Sequence, residues 1–421
     1  MISRSRQQKT NLLSWIAYDI SGTIFSLVIV TLLYAVYFKE IIAGGSDFSD
    51  LVWGVSTGVS MIVVAIASPL LGAAADLSGR RKAFLAVTGG AAALFTVTLA
   101  IPGRGELLLG SILFILANIA FNLSYTFYNS LLPDVSTKEN MGSVSGAGWA
   151  AGYGGALVFL LIFYPFLKGG MEENNLWNLR LVFVLTGIFY LIFMIPVIFF
   201  LKLDDRREKA GEKITGSFAS SLSRVIGTIR DIKKYSNLAR FLVAFFLYND
   251  GIATVIFFSS IYASHTLGFT MKELIVFFLG IQLSAMIGAF TLGLLTDRIG
   301  AKKIIIFCVL VWCILVTCTY FVTSHQTFFA IGIMCGVVMG ACQSASRTFM
   351  GLSVPPGRSA EFFGFYSLYA KFSSILGPLM FGFISSFTGD QRKAILSMLV
   401  LFVSGMAIML TVKEPEAASV Q

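Results

Sequence analysis

Two stretches decide the fold: GAAADLSGRRK at residues 72–82 and GLLTDRIGAKK at residues 293–303. Each follows a long apolar run. The first sets Gly72, Asp76, Gly79, Arg80 and Arg81 in order; the second sets Gly293, Asp297, Arg298 and Gly300 in nearly the same spacing, 221 residues later. The pattern has a physical logic. Glycines permit a tight turn and close helix approach. An acid at a helix end can pair with a neighbouring base or with the N-terminus of another helix. A basic run keeps such a turn on the cytoplasmic side of a membrane.

The match extends outward on both sides. Pro133, Glu139, Gly142 and Gly155 recur as Pro355, Glu361, Gly364 and Gly377 at an offset of 222. Asp19 and Thr23 recur as Asp250 and Thr254 at an offset of 231. Nearly constant offsets over most of the chain describe two halves with one shared topology.

Composition sets the solvent of those halves. Of 421 residues, 56% are hydrophobic and 13% charged, about half the charge of an ordinary soluble domain. A soluble chain of this kind would expose large apolar patches. A spanning helix needs roughly 20 apolar residues, and twelve segments qualify: 12–38, 52–75, 83–102, 107–132, 141–167, 179–201, 238–264, 272–295, 303–323, 328–354, 362–387 and 392–412. The first is preceded by Arg4, Arg6 and Lys9, as a signal peptide would be, but it is too long for a cleavable apolar region. The reading is an all-α membrane protein of two six-helix bundles, 1–203 and 238–421, joined by a linker at 204–237. Most of the 31 Lys and Arg residues fall on the side that holds the linker and both termini, which places that side in the cytoplasm. The net charge of +9 then belongs to the membrane and implies no nucleic-acid partner. Within the linker, Phe218, Leu222, Val225, Ile229 and Ile232 recur at three and four, so a helix lying at the lipid interface is expected there. Cys308, Cys313, Cys318, Cys335 and Cys342 lie inside apolar stretches and read as packing residues. His265 and His325 lie at segment ends, so no metal or other cofactor is called for.

The signature loop, present twice, resembles that of the major facilitator superfamily. Further stretches narrow the resemblance: WIAYD at 15–19, YNSLLPD at 128–134, GSVSGAGWAAGYGG at 142–155, YNDG at 248–251, QSASR at 343–347, PPGR at 355–358 and EFFGFY at 361–366. Together they resemble the vacuole-effluxer family, whose fungal members are autophagy-related exporters of amino acids. The pattern departs from that family after Asp19, where Ile20-Ser21-Gly22-Thr23 stands. The resemblance implies transport. The short N-terminus before the first span leads us to expect a bacterial or archaeal plasma membrane, and a monomer is expected there.

Charges at membrane depth are costly and face a bundle interior or a watery cavity. Four are expected there: Asp19, Asp250, Arg347 and Lys371. Gln343 lies one turn before Arg347, and Thr23 and Thr254 lie one turn after the acids. The functional reading gives Arg347 and Lys371 the anionic group of a small-molecule substrate, and gives Asp19 or Asp250 an amine or a coupling proton. The two signature loops would gate the cycle. The structural alternative is ion pairs that lock helices together. Two other functions on this fold stay open at this level: a lipid or lysolipid translocator, which would need an apolar lateral opening, and a receptor without transport. No phosphate-binding Gly-rich loop or nucleophile–base constellation points to an ATP-driven pump or an enzyme.

Overall fold

The computed structural model describes residues 2–46, 48–203, 218–373 and 375–415, and all regular structure among them is helical. The first part of the expected linker, 204–217, lies outside the described residues. The helices are α1 (Arg6–Ile42), α2 (Ser49–Ser78), α3 (Arg81–Thr98), α4 (Leu107–Ser130), α5 (Met141–Leu167), α6 (Leu176–Phe199), α7 (Phe218–Arg230), α8 (Ser236–His265), α9 (Met271–Ile299), α10 (Ala301–Phe321), α11 (His325–Ser353), α12 (Ser359–Phe372), α13 (Leu376–Thr388), α14 (Gln391–Ser397) and α15 (Leu399–Thr411).

Among the described residues, eleven stretches are long and apolar enough to cross a membrane, the penultimate combining α12 with α13 and the last α14 with α15. The chain is an integral multi-pass membrane protein. The remaining expected span, 83–102, corresponds to α3, which has 18 residues and opens on Arg81 and Lys82. That basic pair lowers its hydropathy below that of its neighbours. Inside α1 the winding loosens over Ser26–Leu32 and Phe38–Ile42, where hydrogen bonds skip five residues, a local irregularity that long helices tolerate when neighbours pack it.

The chain forms two compact units. The first holds Met1–Val135, Ala151–Val225 and Pro355–Ser367; the second holds Ser136–Ala150, Ile226–Val354 and Leu368–Gln421. In the first unit α3 packs on α4 and α6, α1 on α6, and α2 on α4. In the second unit α10 packs on α11 and α15, α8 on α15, and α9 on α11. The second set repeats the first helix for helix.

Each unit also latches its first span to its last by the same device. Asn11 donates to the Lys202 carbonyl at 2.8 Å and accepts the Lys202 N–H at 2.9 Å. Asn237 donates to the Lys413 carbonyl at 3.0 Å and accepts its N–H at 2.7 Å. A side-chain amide thus pairs with a peptide group at a helix end whose carbonyls lack partners of their own.

Aromatic side chains fill the first unit. Trp15 and Tyr18 both stack on Tyr128 with centroids 4.6 Å apart. The hydroxyls of Tyr18, Ser124 and Tyr190 close a triangle of 2.8–2.9 Å hydrogen bonds, so these buried phenols keep partners where water cannot supply them.

Candidate functional site

Three carboxylates make one bond pattern, and two of them come from the signature loops. Asp76, at the end of α2, accepts the Ala360 N–H at 3.1 Å on one oxygen and the Glu361 N–H at 2.9 Å on the other. Asp297, at the end of α9, accepts the Gly142 N–H at 2.6 Å and the Ser143 N–H at 2.8 Å, with the Ser143 hydroxyl also donating at 2.5 Å. Asp250, in the middle of α8, accepts the Leu376 N–H and the Gly377 N–H, each at 3.0 Å. In each case two successive N–H groups at the start of a helix, α12, α5 or α13, meet two carboxylate oxygens. Those N–H groups have no partner within their own helix and carry the positive end of its dipole.

The loop glycines make the caps possible. A Cβ on Gly72 would overlap the Ala360 carbonyl, and one on Gly293 would come 2.8 Å from the Gly146 Cα. Gly79 ends α2 at φ +67°, a backbone conformation that favours glycine. Arg81 pairs with Asp134 at 2.8 Å and donates to the Ser130 carbonyl at 2.9 Å, tying the loop to the end of α4. Arg80 and Arg298 are exposed. Gly300 joins α9 to α10 at φ +98°.

The contacts shift the internal repeat by one turn here. Asp76 and Asp297 are 221 apart, but their capped residues are 218 apart. The cause is a longer connection in the first half: α5 begins eight residues after Pro133, whereas α12 begins four after Pro355. Glu361 therefore stands where Ser143 stands, and its carboxylate, fully buried, accepts from Arg224 at 2.9 Å and from Arg358 at 2.7 Å.

A second register difference concerns the acids at membrane depth. The Tyr18 hydroxyl meets Ser124, and the Tyr248 hydroxyl meets Ser346. Ser124 and Ser346 are 222 apart; the tyrosines are 230 apart. On this register Asp19 matches Asn249, and Asp250 matches Ile20. Helix packing agrees: Gly155 on α5 faces Ile20, and Gly377 on α13 faces Asp250 and Thr254. The offset of 231, which pairs the two acids and the two threonines, is one residue off, a rotation of about 100° on a helix. Asp19 accepts from the Tyr125 hydroxyl at 2.7 Å. Thr23 donates to the Asp19 carbonyl at 3.0 Å, whereas Thr254 approaches the Asp250 carboxylate at 3.4 Å.

Within the second unit the remaining candidates separate. Arg347, 1% exposed, donates to the Ser145 hydroxyl at 3.0 Å and its carbonyl at 2.7 Å and lies over the Trp149 ring at 5.2 Å. Its guanidinium thus grips the first turns of α5. Gln343 donates to Asn249 at 2.9 Å, and Asn249 donates to Ser373 beside the α12–α13 break. Lys371, half-buried, lies two residues before Ser373, and no ion pair joins it to Asp250 among the described residues.

The sequence reading passed over two groups. One is a polar ladder in the first unit: Ser60 to Asn118 at 2.7 Å, Asn118 to Asn122 at 2.9 Å, and Thr126 to Ser367 at 2.7 Å. Its signal was there, since Asn118, Asn122 and Thr126 stand at four-residue spacing in an apolar span. The other is the pairing of Arg224 and Arg358 on Glu361, whose only local signal is Arg358 three residues before Glu361.

Comparison with known proteins gives the family and the fold. The model of a family described as vacuole effluxer Atg22 like matches residues 52–419. The "Uncharacterized MFS-type transporter YxiO" of Bacillus subtilis is 28% identical, covering 100% of this chain and 98% of its own length. Autophagy-related protein 22-1 of Penicillium rubens is 28% identical over 64% of this chain, which spans 48% of that longer protein. Among solved structures, the major facilitator transporter FucP in its outward conformation superimposes with a TM-score of 0.70 at 15% identity, covering 97% of this chain and 98% of that one. The proton:xylose symporter XylE superimposes with a TM-score of 0.72 at 13% identity, covering 97% and 95%.

Proposed function

The chain belongs to the vacuole effluxer Atg22 like family and has the major facilitator fold, and from that premise we propose that it carries a small polar or zwitterionic solute, such as an amino acid or short peptide, across a plasma membrane by alternating access. The observation that carries this reading is Lys371. A half-buried ammonium without a carboxylate at membrane depth costs several kcal/mol, and a carboxylate on the substrate would offset that cost. Asp250 does not fill the role, because α13 holds both of its oxygens. The chain of Gln343, Asn249 and Ser373 beside the break supplies neutral donors and acceptors for the rest of a zwitterion.

Asp250 is our candidate for the coupling proton. A proton on it would remove the charge that holds the start of α13 and leave one N–H without an acceptor. Asp76 and Asp297 would gate the cycle by releasing and recapturing the starts of α12 and α5. Arg347 grips α5 in this structure and would take the substrate anion only after leaving Ser145. Termini and linker would face the cytoplasm, as the basic residues favour; a Cys placed at Ser220 should resist labelling from outside intact cells.

Thermal-shift measurements on the purified protein against amino acids and short peptides test the binding claim, since a ligand that binds the folded state raises the melting temperature. We expect a carboxylate-bearing solute to stabilise the wild type and to lose at least about tenfold in affinity with Lys371→Met, the loss of one charged hydrogen bond. Stabilisation by lysolipids alone, unaffected by Lys371→Met, would favour a lipid translocator instead.

A further inference from the structure

The linker helix α7 has two faces with different fates. Ser221, Val225 and Thr228 are buried against the protein. Phe218, Leu222, Ile226 and Ile229 are exposed, Phe218 at 72% and Ile229 at 55%. At 100° per residue these four fall within an 80° sector, so they form one apolar stripe. Val225, expected in that stripe, turns inward, and Ile226 takes its place. The stripe lies outside every membrane span, yet the next span begins at Ile232. Two residues after α7 the chain therefore enters the helix that holds the next apolar span. Arg230, Lys233 and Lys234, all exposed, gather at that point.

The inner face carries a different connection. Arg224 donates to the Glu361 carboxylate at 2.9 Å and to the Gly357 carbonyl at 3.2 Å. Glu361 is the residue whose N–H Asp76 caps. One residue thus receives a grip on its backbone from a signature loop and a grip on its side chain from the linker. At the matching start of α5, Ser143 offers its own hydroxyl to Asp297, and no arginine–glutamate pair is needed there.

We propose that α7 rests on an anionic lipid surface through its apolar stripe and its basic end, and that through Arg224 and Glu361 this attachment steadies the start of α12, so that anionic lipid tunes the Asp76 cap. The partner follows from the chemistry. An apolar stripe bordered by cations at the foot of a span complements acyl chains below anionic headgroups. This goes beyond the transport reading and needs no substrate to test.

The experiment is hydrogen–deuterium exchange on the full chain in nanodiscs of phosphatidylcholine alone or with phosphatidylglycerol. Each cation engaged at an anionic surface contributes about fivefold in binding. With phosphatidylglycerol, amides in 218–230 and in 359–364 should both exchange at least about fivefold more slowly, because exchange reports local opening. Arg224→Ala should keep the effect in 218–230 and lose it in 359–364. Ile226→Glu with Ile229→Glu, which leaves Arg224 in place, should lose both. The proposal fails if exchange in 359–364 is the same in the two lipids. It also fails if phosphatidylglycerol slows 359–364 equally in Arg224→Ala, since the lipid would then act without the linker.

Discussion

Ile20 on α1 and Asp250 on α8 occupy matching places in the two halves, each facing a glycine, Gly155 or Gly377, of the helix opposite. The helix opposite Ile20 is continuous from Met141 to Leu167. The helix opposite Asp250 breaks between Phe372 and Leu376. A proline marks the difference: Ala156 in α5 stands where Pro378 stands after the break, although Pro165 further along α5 leaves that helix continuous. A proline inside a helix lacks the N–H for its own bond and crowds the carbonyl four residues back, whereas in the first turn it costs little. Pro378 thus lies in the first turn of a new helix, where it is tolerated, and the new start exposes N–H groups that Asp250 accepts. Break and acid form one device, and the half with neither packs an isoleucine.

The sharpest way to break this comparison is to transplant the device. Ile20→Asp should cost about 1–3 kcal/mol, because a half-buried carboxylate would meet a helix with no spare N–H. Ala156→Pro should cost about 3 kcal/mol or more by interrupting α5. The two together should cost at least about 1 kcal/mol less than their sum, since each supplies what the other lacks. Denaturant unfolding in detergent measures all three; strict additivity would show that break and acid are unrelated.

A smaller effect is expected at the facing glycines. Gly377→Ala puts a methyl group against the Thr254 hydroxyl and 2.8 Å from the Asp250 carboxylate, and should cost about 1–3 kcal/mol. The nearest atoms to a methyl in Gly155→Ala all belong to the Ile20 side chain, so Ile20→Ala should rescue it. Thr254→Ala should rescue Gly377→Ala only in part. Equal rescue on both sides would mean that Asp250 is no more demanding a neighbour than Ile20.

Asp250→Asn should cost about 1–2 kcal/mol, since an amide offers one oxygen to two N–H groups. It should abolish proton-driven uptake in proteoliposomes while leaving substrate exchange in place. Lys371→Met should not restore stability, because the two are not partners. Restoration of fold and transport by Lys371→Met would make them a structural pair and remove the coupling role. The smallest loss of stability should follow Asp76→Asn, below about 1 kcal/mol, because Arg224 and Arg358 still hold Glu361. Its transport rate should fall nonetheless, and an unchanged rate would take Asp76 out of the cycle.

The spans and both signature loops were legible because each rests on local pattern: about 20 apolar residues, then glycine, acid and base. The α7 helix was legible for the same reason, although its face was misread by one position at Val225. The capping of α12 and α5 by acids far away in sequence was not, since any exposed N–H would serve as well and only the fold selects one. The pairing of Asp19 with Asp250 failed because matching residue types outweighed register; the tyrosines at 18 and 248, each bound to a serine, carried the true alignment. From its span alone Arg347 pointed to a substrate anion or an ion pair, and the serine and tryptophan that meet it lie some 200 residues earlier.

The asparagine latches at Asn11 and Asn237 bring the beginning and end of each six-helix set side by side. A unit whose ends already meet can be copied in tandem with only a short peptide between the copies, without rearranging any helix. The same geometry makes the present chain open to relocation of its ends: a short bridge between the neighbourhoods of Asn11 and Lys202 would let the first six spans start at the turn between α2 and α3, at the cost of that turn's own contacts. The two-fold pattern in the sequence is the pattern that duplication of such a unit produces.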